Sequence, residues 1–271
     1  MRVARGLAVW IGAVLGMQSV AVAQSFDCII DPAVVVRVGS QVPGLLEEVL
    51  INRGDFVRQG EQIASLASGV EQTTVELMTQ QAESQAEIEA QRARYELVLS
   101  RLNRTHELVE AKVVPQDKLE EAVAEMEVVK RELAIAEMRS RIAGLELTRA
   151  RKVLEQRSIR SPITGVVVER LLFDGEFLAQ DGKLATIAQL DPLYVEAFLP
   201  VEYYSEIYLG MQARVMPNAP IAGTFQGKVT VIDRVFDAAS GTFGLRVELP
   251  NPDGVLPAGH RCQVALEGLA D

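Results

Sequence analysis

The sequence has few of the residues that usually carry catalysis or bind metals. It contains two histidines, two cysteines and one tryptophan in 271 residues. His106 and His260 are far apart, and neither cysteine has a neighbour at the spacing of a metal site. No G-x-S-x-G, P-loop, H-E-x-x-H or C-x-x-C motif is present. We therefore expect a protein that is not an enzyme and that holds no metal and no cofactor.

Positive charge is also in short supply. The chain has 27 lysines and arginines against 37 aspartates and glutamates, which gives a net charge of −10. Acidic chains bind the phosphate backbone poorly, and this argues against nucleic acid as a partner.

Long apolar runs are absent, apart from a short one near the N-terminus. Arg2 and Arg5 precede an apolar run at 6–17, and an A-x-A motif follows at 21–23. A positive start, a short apolar core and an A-x-A site form a secretory signal peptide, and this run is too short to span a bilayer comfortably. We expect cleavage near Ala23 and export from the cytoplasm. An uncleaved membrane anchor is the alternative.

The two cysteines lie at opposite ends of the exported sequence. An oxidising compartment favours pairing of an even number of cysteines, so Cys28 and Cys262 are candidates for a disulfide. Such a bridge requires the two ends of the mature chain to meet in space. Two separately buried thiols are the alternative.

The most informative feature is an internal repeat at 40–68 and 158–189. Each copy contains β-branched and apolar runs that predict short strands, and glycines that predict structural turns. The aligned glycines are Gly44 with Gly165 and Gly54 with Gly175. Neither copy is long enough to bury its own apolar face. We therefore expect the two copies to pack together as a small β domain.

The stretch at 69–157, between the two copies, predicts a helical hairpin. It is rich in Glu, Ala, Gln, Arg and Leu, and its single proline is Pro115, in the turn between the helices. In the second helix, mostly apolar residues from Leu119 to Leu154 recur at alternating spacings of three and four. This is the pattern of a coiled-coil seam.

The first helix of the hairpin carries a weaker seam. Its predicted seam positions are Leu77, Gln81, Ser84, Ile88, Gln91, Tyr95, Val98, Leu102, Thr105 and Val109. Ser68 and Glu71 fit a capping box at its start. Two antiparallel helices of about 40 residues form a rod of roughly 60 Å that leaves the β domain and returns to it. Such a rod has no pocket, so its distinctive exposed feature is the tip.

From 190 to 271 the pattern changes to short strands separated by turns. Turn residues at 239–241 and 251–254 divide these strands, and the spacing predicts a small β-barrel. The segment at 24–39 is expected to add a strand to this barrel, which would bring Cys28 near Cys262. The predicted fold class is therefore multidomain α+β.

This order of segments resembles the periplasmic adaptor, or membrane fusion protein, family. The half-repeats are similar to the two halves of a lipoyl-like domain, a barrel-sandwich hybrid that the helical hairpin would split. The stretches that resemble family patterns are 161–167, 190–195, 237–251 and 256–259. The likeness covers essentially all of residues 28–268.

The resemblance implies a periplasmic, envelope-associated adaptor that links an inner-membrane pump to an outer-membrane channel for efflux of small molecules. It also implies self-association into trimers or hexamers. In adaptors of the resistance–nodulation–division type, the hairpin tip carries an R-x3-L-x6-S pattern that engages the channel. Pro115 stands here where that serine is expected. The docking residues that the resemblance implies at the tip are Arg104, Leu108, Val113, Val114 and Pro115.

Other interpretations stay open. One is an exported coiled-coil scaffold or adhesion module unconnected to transport, and another is the adaptor of an ABC-type exporter. A biotinyl or lipoyl carrier needs a modifiable lysine between its halves, and here the helices replace that hairpin. We expect no full membrane-proximal domain of the family in these 271 residues, because Asp271 follows soon after the predicted barrel. We therefore expect contact with the pump to run through the barrel alone.

Overall fold

The structure is a computed structural model that describes residues 24–269. The predicted signal peptide at 1–23 lies outside the described residues. The chain divides into two compact units. One unit combines the residues up to Ala33 with those from Leu190 onward, and the other comprises Val34–Gln189. The repeat and the helices therefore form a unit that is inserted into the sequence of the other.

Twelve strands and three α-helices are formed by residues 24–269. The strands are β1 (Ser25–Val38), β2 (Gly44–Val49), β3 (Phe56–Val57), β4 (Gln62–Leu66), β5 (Ser158–Arg160), β6 (Gly165–Arg170), β7 (Phe177–Leu178), β8 (Ala185–Pro200), β9 (Gln212–Pro217), β10 (Phe225–Ile232), β11 (Thr242–Leu249) and β12 (His260–Leu266). The helices are α1 (Gly69–Glu83), α2 (Ala86–Glu110) and α3 (Gln116–Glu155), with a short 3₁₀ helix at Val201–Ser205. The unit boundaries fall within β1 and β8.

The first unit is built from strands at both ends of the chain. β1, β12, β9, β10, β11 and β8 lie side by side in that order, and β1 also pairs with β8, so the order closes into a barrel. Alternate residues of β8 and β11 are buried in its core. They are Leu193, Val195, Ala197 and Leu199 on β8, and Phe243, Leu245, Val247 and Leu249 on β11. This two-residue period is what barrel strands require, and the predicted small barrel is confirmed.

The first and last strands of the chain are neighbours in this barrel. Cys28 of β1 lies directly opposite Cys262 of β12. The two buried Sγ atoms are bonded, 2.08 Å apart. Whether the thiols pair in the exported protein stays a prediction.

In the second unit, the two copies of the repeat exchange strands with each other. β2 of the first copy pairs with β7 of the second, and β3 of the first pairs with β6 of the second. The Gly54 N–H donates to the Val167 carbonyl at 2.8 Å, and the Gly175 N–H donates to the Leu46 carbonyl at the same distance. These two bonds join equivalent positions of the repeat, so the copies are related by a pseudo-twofold axis.

The exchanged strands enclose one apolar core. Both copies contribute fully buried side chains to it, among them Leu46, Ile63, Leu66, Leu178, Leu184 and Ile187. Neither copy alone encloses this core. This is the physical reason why a single copy could not bury its apolar face. The expectation that the copies pack together agrees with the structure.

The four aligned glycines have two different roles. Gly54 and Gly175 lie in tight turns with φ of 94° and 80°, a region where other residues are strained. Gly44 and Gly165 begin strands β2 and β6, so the prediction that they form turns was wrong. A Cβ at Gly165 would lie 2.2 Å from the carbonyl oxygen of Ala188. Close strand approach, which a sequence pattern does not show, accounts for the glycine there.

The helices form an antiparallel hairpin. Every predicted seam residue of α3, from Leu119 to Leu154, is buried or half-buried. Val98 of α2 packs with Met126 and Val129 of α3 in the most buried part of the seam. Arg94 on α2 forms an ion pair with Glu132 on α3 at 2.6 Å, and this contact sets the register between the two helices.

The first arm of the hairpin is broken, although the sequence pattern predicted one continuous helix. α1 ends at Glu83, and Ser84 has an extended conformation with ψ of 113°. The predicted seam residues before the break, Leu77, Gln81 and Ser84, are exposed, whereas Val75, Met78 and Ala82 are half-buried. The seams of α1 and α2 are thus out of phase. Polar residues at the predicted positions bury too little surface to hold one register through this point.

The predicted capping box at the start of α1 is also wrong. The Ser68 hydroxyl makes no capping bond and instead accepts a hydrogen bond from Gln72 Nε2 at 2.9 Å. Glu71 accepts a hydrogen bond from Arg157, just beyond the end of α3, at 2.6 Å. The Glu71 carboxylate, which a capping box would bond to the backbone, thus binds the partly buried Arg157 guanidinium instead.

Candidate partner-docking site

The hairpin tip is built by a helix-ending motif. The Val113 N–H donates to the Leu108 carbonyl, and the Lys112 N–H donates to the Val109 carbonyl, both at 2.9 Å. This pair of bonds is the Schellman motif, in which the chain reverses after a left-handed residue. Lys112 occupies that position with φ of 57°, although glycine is the usual residue there. The motif sets the position of the residues that follow it.

The structure brings the five predicted docking residues to one end of the hairpin. Arg104 and Leu108 lie one turn apart on α2, and both are exposed. Val113 is 67% exposed, Val114 is half-buried and Pro115 is the N-cap of α3. An exposed aliphatic residue at the end of a two-helix rod is available to a partner. That these residues bind a channel stays a prediction.

Charges at the tip are paired within each helix. On α3, Lys118 Nζ lies 2.8 Å from Glu121 Oε2, and this contact raises the pKa of Lys118 and lowers the pKa of Glu121. On α2, His106 Nδ1 lies 3.8 Å from Glu110 Oε1. Near Leu108 and Val113, both helices therefore carry exposed polar or charged pairs.

The base of the hairpin is fixed to the β part of the same unit by Arg157. Its guanidinium donates to Glu71 at 2.6 Å and to the Pro43 carbonyl at 3.3 Å, and its own carbonyl accepts from the Leu66 N–H at 2.8 Å. The backbone N–H of Glu71 and the Arg157 guanidinium hold the pKa of the Glu71 carboxyl below its usual range. The start of α1 and the chain just after α3 are thus both tied to the paired repeats at the base of the hairpin.

The barrel unit carries a second candidate surface, which the sequence analysis missed. Phe198 of β8 is 66% exposed and Val235, in the loop after β10, is 84% exposed. Both line one shallow cavity with Asp233 and Asp237. Phe236 beside them is held edge-on against Tyr204, with ring centroids 4.8 Å apart.

The loop that carries this surface is organised by its own backbone. The Ala239 and Ser240 N–H groups donate to Asp237 and hold the pKa of its carboxyl below the usual range. The available sequence signal was Phe198, a large aromatic residue at an outward position of a strand whose alternate residues face the core. We call Phe198, Val235 and Phe236 the barrel patch.

Residues 24–269 contain neither a candidate membrane-spanning helix nor a candidate metal site. Within 24–269, no helix is both long and apolar enough to cross a membrane. Across the same part of the chain, no group of three or more His, Cys, Asp or Glu side chains is arranged to hold a metal ion.

Comparisons with known proteins agree with this architecture. Residues 192–270 match the family described as "CusB-like, beta-barrel domain". The chain is 25% identical over 247 residues to the macrolide export protein MacA of Yersinia pestis, an alignment that covers 86% of this chain and 64% of that protein. The chain thus spans just under two thirds of the length of this relative.

Solved structures share the fold. MacA from Actinobacillus actinomycetemcomitans superposes with a TM-score of 0.74 at 20% identity, over 91% of this chain and 79% of that one. The membrane fusion protein Spr0693 from Streptococcus pneumoniae gives a TM-score of 0.60 at 15% identity, over 92% and 100%. These solved structures and this chain therefore have the same fold. The proteins that this chain is similar to thus include membrane fusion proteins, the family that its sequence resembles.

Proposed function

We propose that the chain is a periplasmic adaptor, associated with the cell envelope, that links an inner-membrane transporter to an outer-membrane channel for efflux of small molecules. The observation that carries this proposal is the hairpin. Its base is tied to the paired repeats by Arg157, and its tip exposes Leu108 and Val113. A rod without a pocket that presents apolar residues at its end is suited to binding, and the chain acts by binding rather than catalysis.

The paired repeats are, in this proposal, a lipoyl-like domain that serves as a rigid base. The reciprocal hydrogen bonds between equivalent turn positions support this assignment. So does the insertion of the helices between the two copies, where a carrier domain would need its modifiable lysine. The proposal includes self-association into a trimer or hexamer, which places several hairpins around one channel.

The barrel patch is the proposed contact with the transporter. Phe198 and Val235 are large, exposed and adjacent, which is unusual for residues with no partner. The acidic side chains beside them, Asp233 and Asp237, favour a protein surface with a basic rim over an anionic membrane.

Site-specific photo-crosslinkers at Lys112 and Gln116 test the tip. Both residues are exposed, and we expect both to capture an outer-membrane channel in cells. Lys130, which is exposed on α3 about 20 Å from the tip, is the matched control and should not capture it. Crosslinks only to soluble periplasmic proteins would instead favour an exported scaffold or adhesion module.

A crosslinker at Val235 tests the barrel patch and identifies the transporter class. We expect capture of an inner-membrane pump, and no capture from Arg261, which is exposed on β12. Capture of a resistance–nodulation–division subunit agrees with the class favoured by the resemblance. Capture of an ABC subunit would select the alternative type of exporter.

A further inference from the structure

The outer face of strands β8 and β11 contains a guanidinium site that the barrel fills with its own arginine. Arg246 of β11 lies directly opposite Glu196 of β8, and its Nε donates to Glu196 Oε1 at 2.6 Å. The same guanidinium covers the Tyr194 ring, with its Cζ 4.8 Å from the ring centroid. A ring face and a carboxylate are the two groups that bind a planar cation well. This site shows how the barrel surface holds a guanidinium.

Two residues further along both strands, a second site has a glycine in place of the arginine. Phe198 of β8 lies directly opposite Gly244 of β11. Both belong to the outward face that carries Glu196 and Arg246, because side chains on one face of a strand recur every second residue. Phe198 is 66% exposed, so most of its ring is uncovered. The second site therefore has an aromatic ring without a covering cation.

Asp233, just after β10, supplies the carboxylate of the second site. Its N–H donates to the Gly244 carbonyl at 2.9 Å, and a Cβ at Gly244 would collide with its Oδ2. The carboxylate thus lies over the glycine and lines one shallow cavity with Phe198. Across residues 24–269 this carboxylate has no hydrogen bond or ion pair, and the adjacent Arg234 does not pair with it. A carboxylate and a ring are therefore both available to a cation from outside.

We propose that the site formed by Phe198, Asp233 and Gly244 receives an arginine side chain of the inner-membrane transporter. The guanidinium stacks on the Phe198 ring and pairs with the Asp233 carboxylate, in the way that Arg246 is held within the barrel. Asp237 lines the same cavity and adds a second negative charge. The missing side chain at Gly244 leaves room for the incoming group. The inference rests on the proposed function, in which the barrel patch contacts the transporter, and names the chemistry of that contact.

Other occupants fit the site less well than an arginine of the transporter. A lysine ammonium is a compact, strongly hydrated charge that lacks the planar group needed to stack on a ring and pair through two N–H groups. An anionic lipid headgroup is repelled by Asp233 and Asp237. A second copy of the chain also has a net negative charge, −10 over the 271 residues.

The first test measures the affinity of the purified exported chain for the transporter that a crosslinker at Val235 captures. Asp233→Asn keeps the size of the side chain and removes its charge. We expect it to raise the Kd about tenfold or more, because loss of one partner of an interfacial charge pair costs at least that much. Phe198→Leu keeps an apolar side chain without the ring and should raise the Kd about threefold or more. Asp253→Asn, in the exposed turn at 251–254, is the matched control and should bind like the parent.

Circular dichroism and the urea unfolding midpoint check that the three variants fold like the parent chain. Unchanged affinity of both Asp233→Asn and Phe198→Leu would overturn the inference and leave the proposed contact standing. If Val235 captures no inner-membrane transporter, the proposed contact fails and the inference fails with it. Capture of a second copy of the chain in place of a transporter would also overturn the inference.

The second test starts from the transporter peptide that Val235 captures, which mass spectrometry identifies. We expect an arginine in or beside this peptide. Its replacement by aspartate should raise the Kd about tenfold or more, and Asp233→Arg in this chain should restore most of the affinity. Its replacement by lysine keeps the charge but not the planar group, so only part of the affinity should remain. A captured surface without such an arginine, or a lysine that binds equally well, would refute the guanidinium site.

Discussion

One buried side chain, Asn251, holds the loop that follows β11. It is 5% exposed, and its amide nitrogen donates to the carbonyls of Leu190 and Leu256, both at 3.0 Å. Its Oδ1 accepts from the Leu256 N–H at 3.0 Å. The sequence predicted a turn at 251–254 from its proline and glycine, but not this role. Leu190 is 61 residues away in the sequence, and a local pattern does not show which backbone groups need a side-chain partner.

Replacing Asn251 with alanine leaves those backbone groups without their partner in a buried place. We expect Asn251→Ala to lower the free energy of unfolding of the barrel unit by about 2–4 kcal/mol. Urea unfolding followed by tyrosine fluorescence measures this, since Tyr194, Tyr203, Tyr204 and Tyr208 all lie in that unit. Asn103→Ala, at an exposed position of α2, should change it by less than about 0.5 kcal/mol. Equal effects of the two changes would remove the proposed role of Asn251.

At the scale of single elements, the strength of the periodic pattern decided what could be predicted. The α3 seam was predicted correctly because mostly apolar residues recur along it without interruption. The break at Ser84 was missed because Gln81 and Ser84 filled seam positions on spacing alone. α1 and α2 follow each other almost directly in the sequence. The difference in phase between their seams becomes visible only when both are packed against α3. The packing of the two repeat copies against each other was predicted, but their exchange of strands was not.

The glycine that begins β6 offers a test of element packing. A methyl group at Gly165 would meet the backbone of Ala188 in β8, which cannot move without breaking the pairing of these strands. We expect Gly165→Ala to destabilise the unit by about 3 kcal/mol or more, as overpacking against backbone does. Gly175→Ala meets open space and adds only the strain of a positive φ, about 1 kcal/mol. Thermal unfolding of the two variants should show this order, and the reverse order would contradict the close-approach argument.

The attachment of the hairpin to its base predicts a dependence on pH. The Glu71 backbone N–H, and after it the Arg157 guanidinium, lower the pKa of the Glu71 carboxyl in the folded protein, so the ionised carboxylate stabilises the fold above the ordinary carboxyl pKa of about 4.3. That contribution disappears as the pH falls through the lowered pKa. We expect Glu71→Gln to cost about 1–2 kcal/mol at neutral pH, and the difference from the parent chain to shrink progressively in acid.

Urea unfolding of both chains across the acid range measures that difference. Glu76→Gln, on the exposed side of α1, is the control and should show a smaller cost at neutral pH. A cost for Glu71→Gln that stays constant down to the most acidic point would contradict the ion-pair explanation.

At the scale of the whole molecule, the first and the last of the described strands lie in one barrel. β1 and β12 are adjacent, and the inserted unit of Val34–Gln189 is connected to both parts of the barrel sequence. Because the first strand contributes to the barrel core, the barrel is complete only when residues from both chain ends are present. A covalent link between β1 and β12 is therefore expected to stabilise the whole barrel.

The Cys28–Cys262 bridge is placed to do this, with a sequence separation of 234. A cross-link over so long a stretch restricts the unfolded chain strongly, and we expect its loss to destabilise the barrel unit by about 3–5 kcal/mol. The double variant Cys28→Ser with Cys262→Ser leaves no free thiol, and reduction of the parent chain should give the same tyrosine-monitored unfolding midpoint. The helical signal of the hairpin should persist through this transition, because its seam and the core of the repeats lie in the other unit. Ready labelling of both thiols in the native exported protein would show that the bridge does not form there, and the variant would then unfold at the midpoint of the parent.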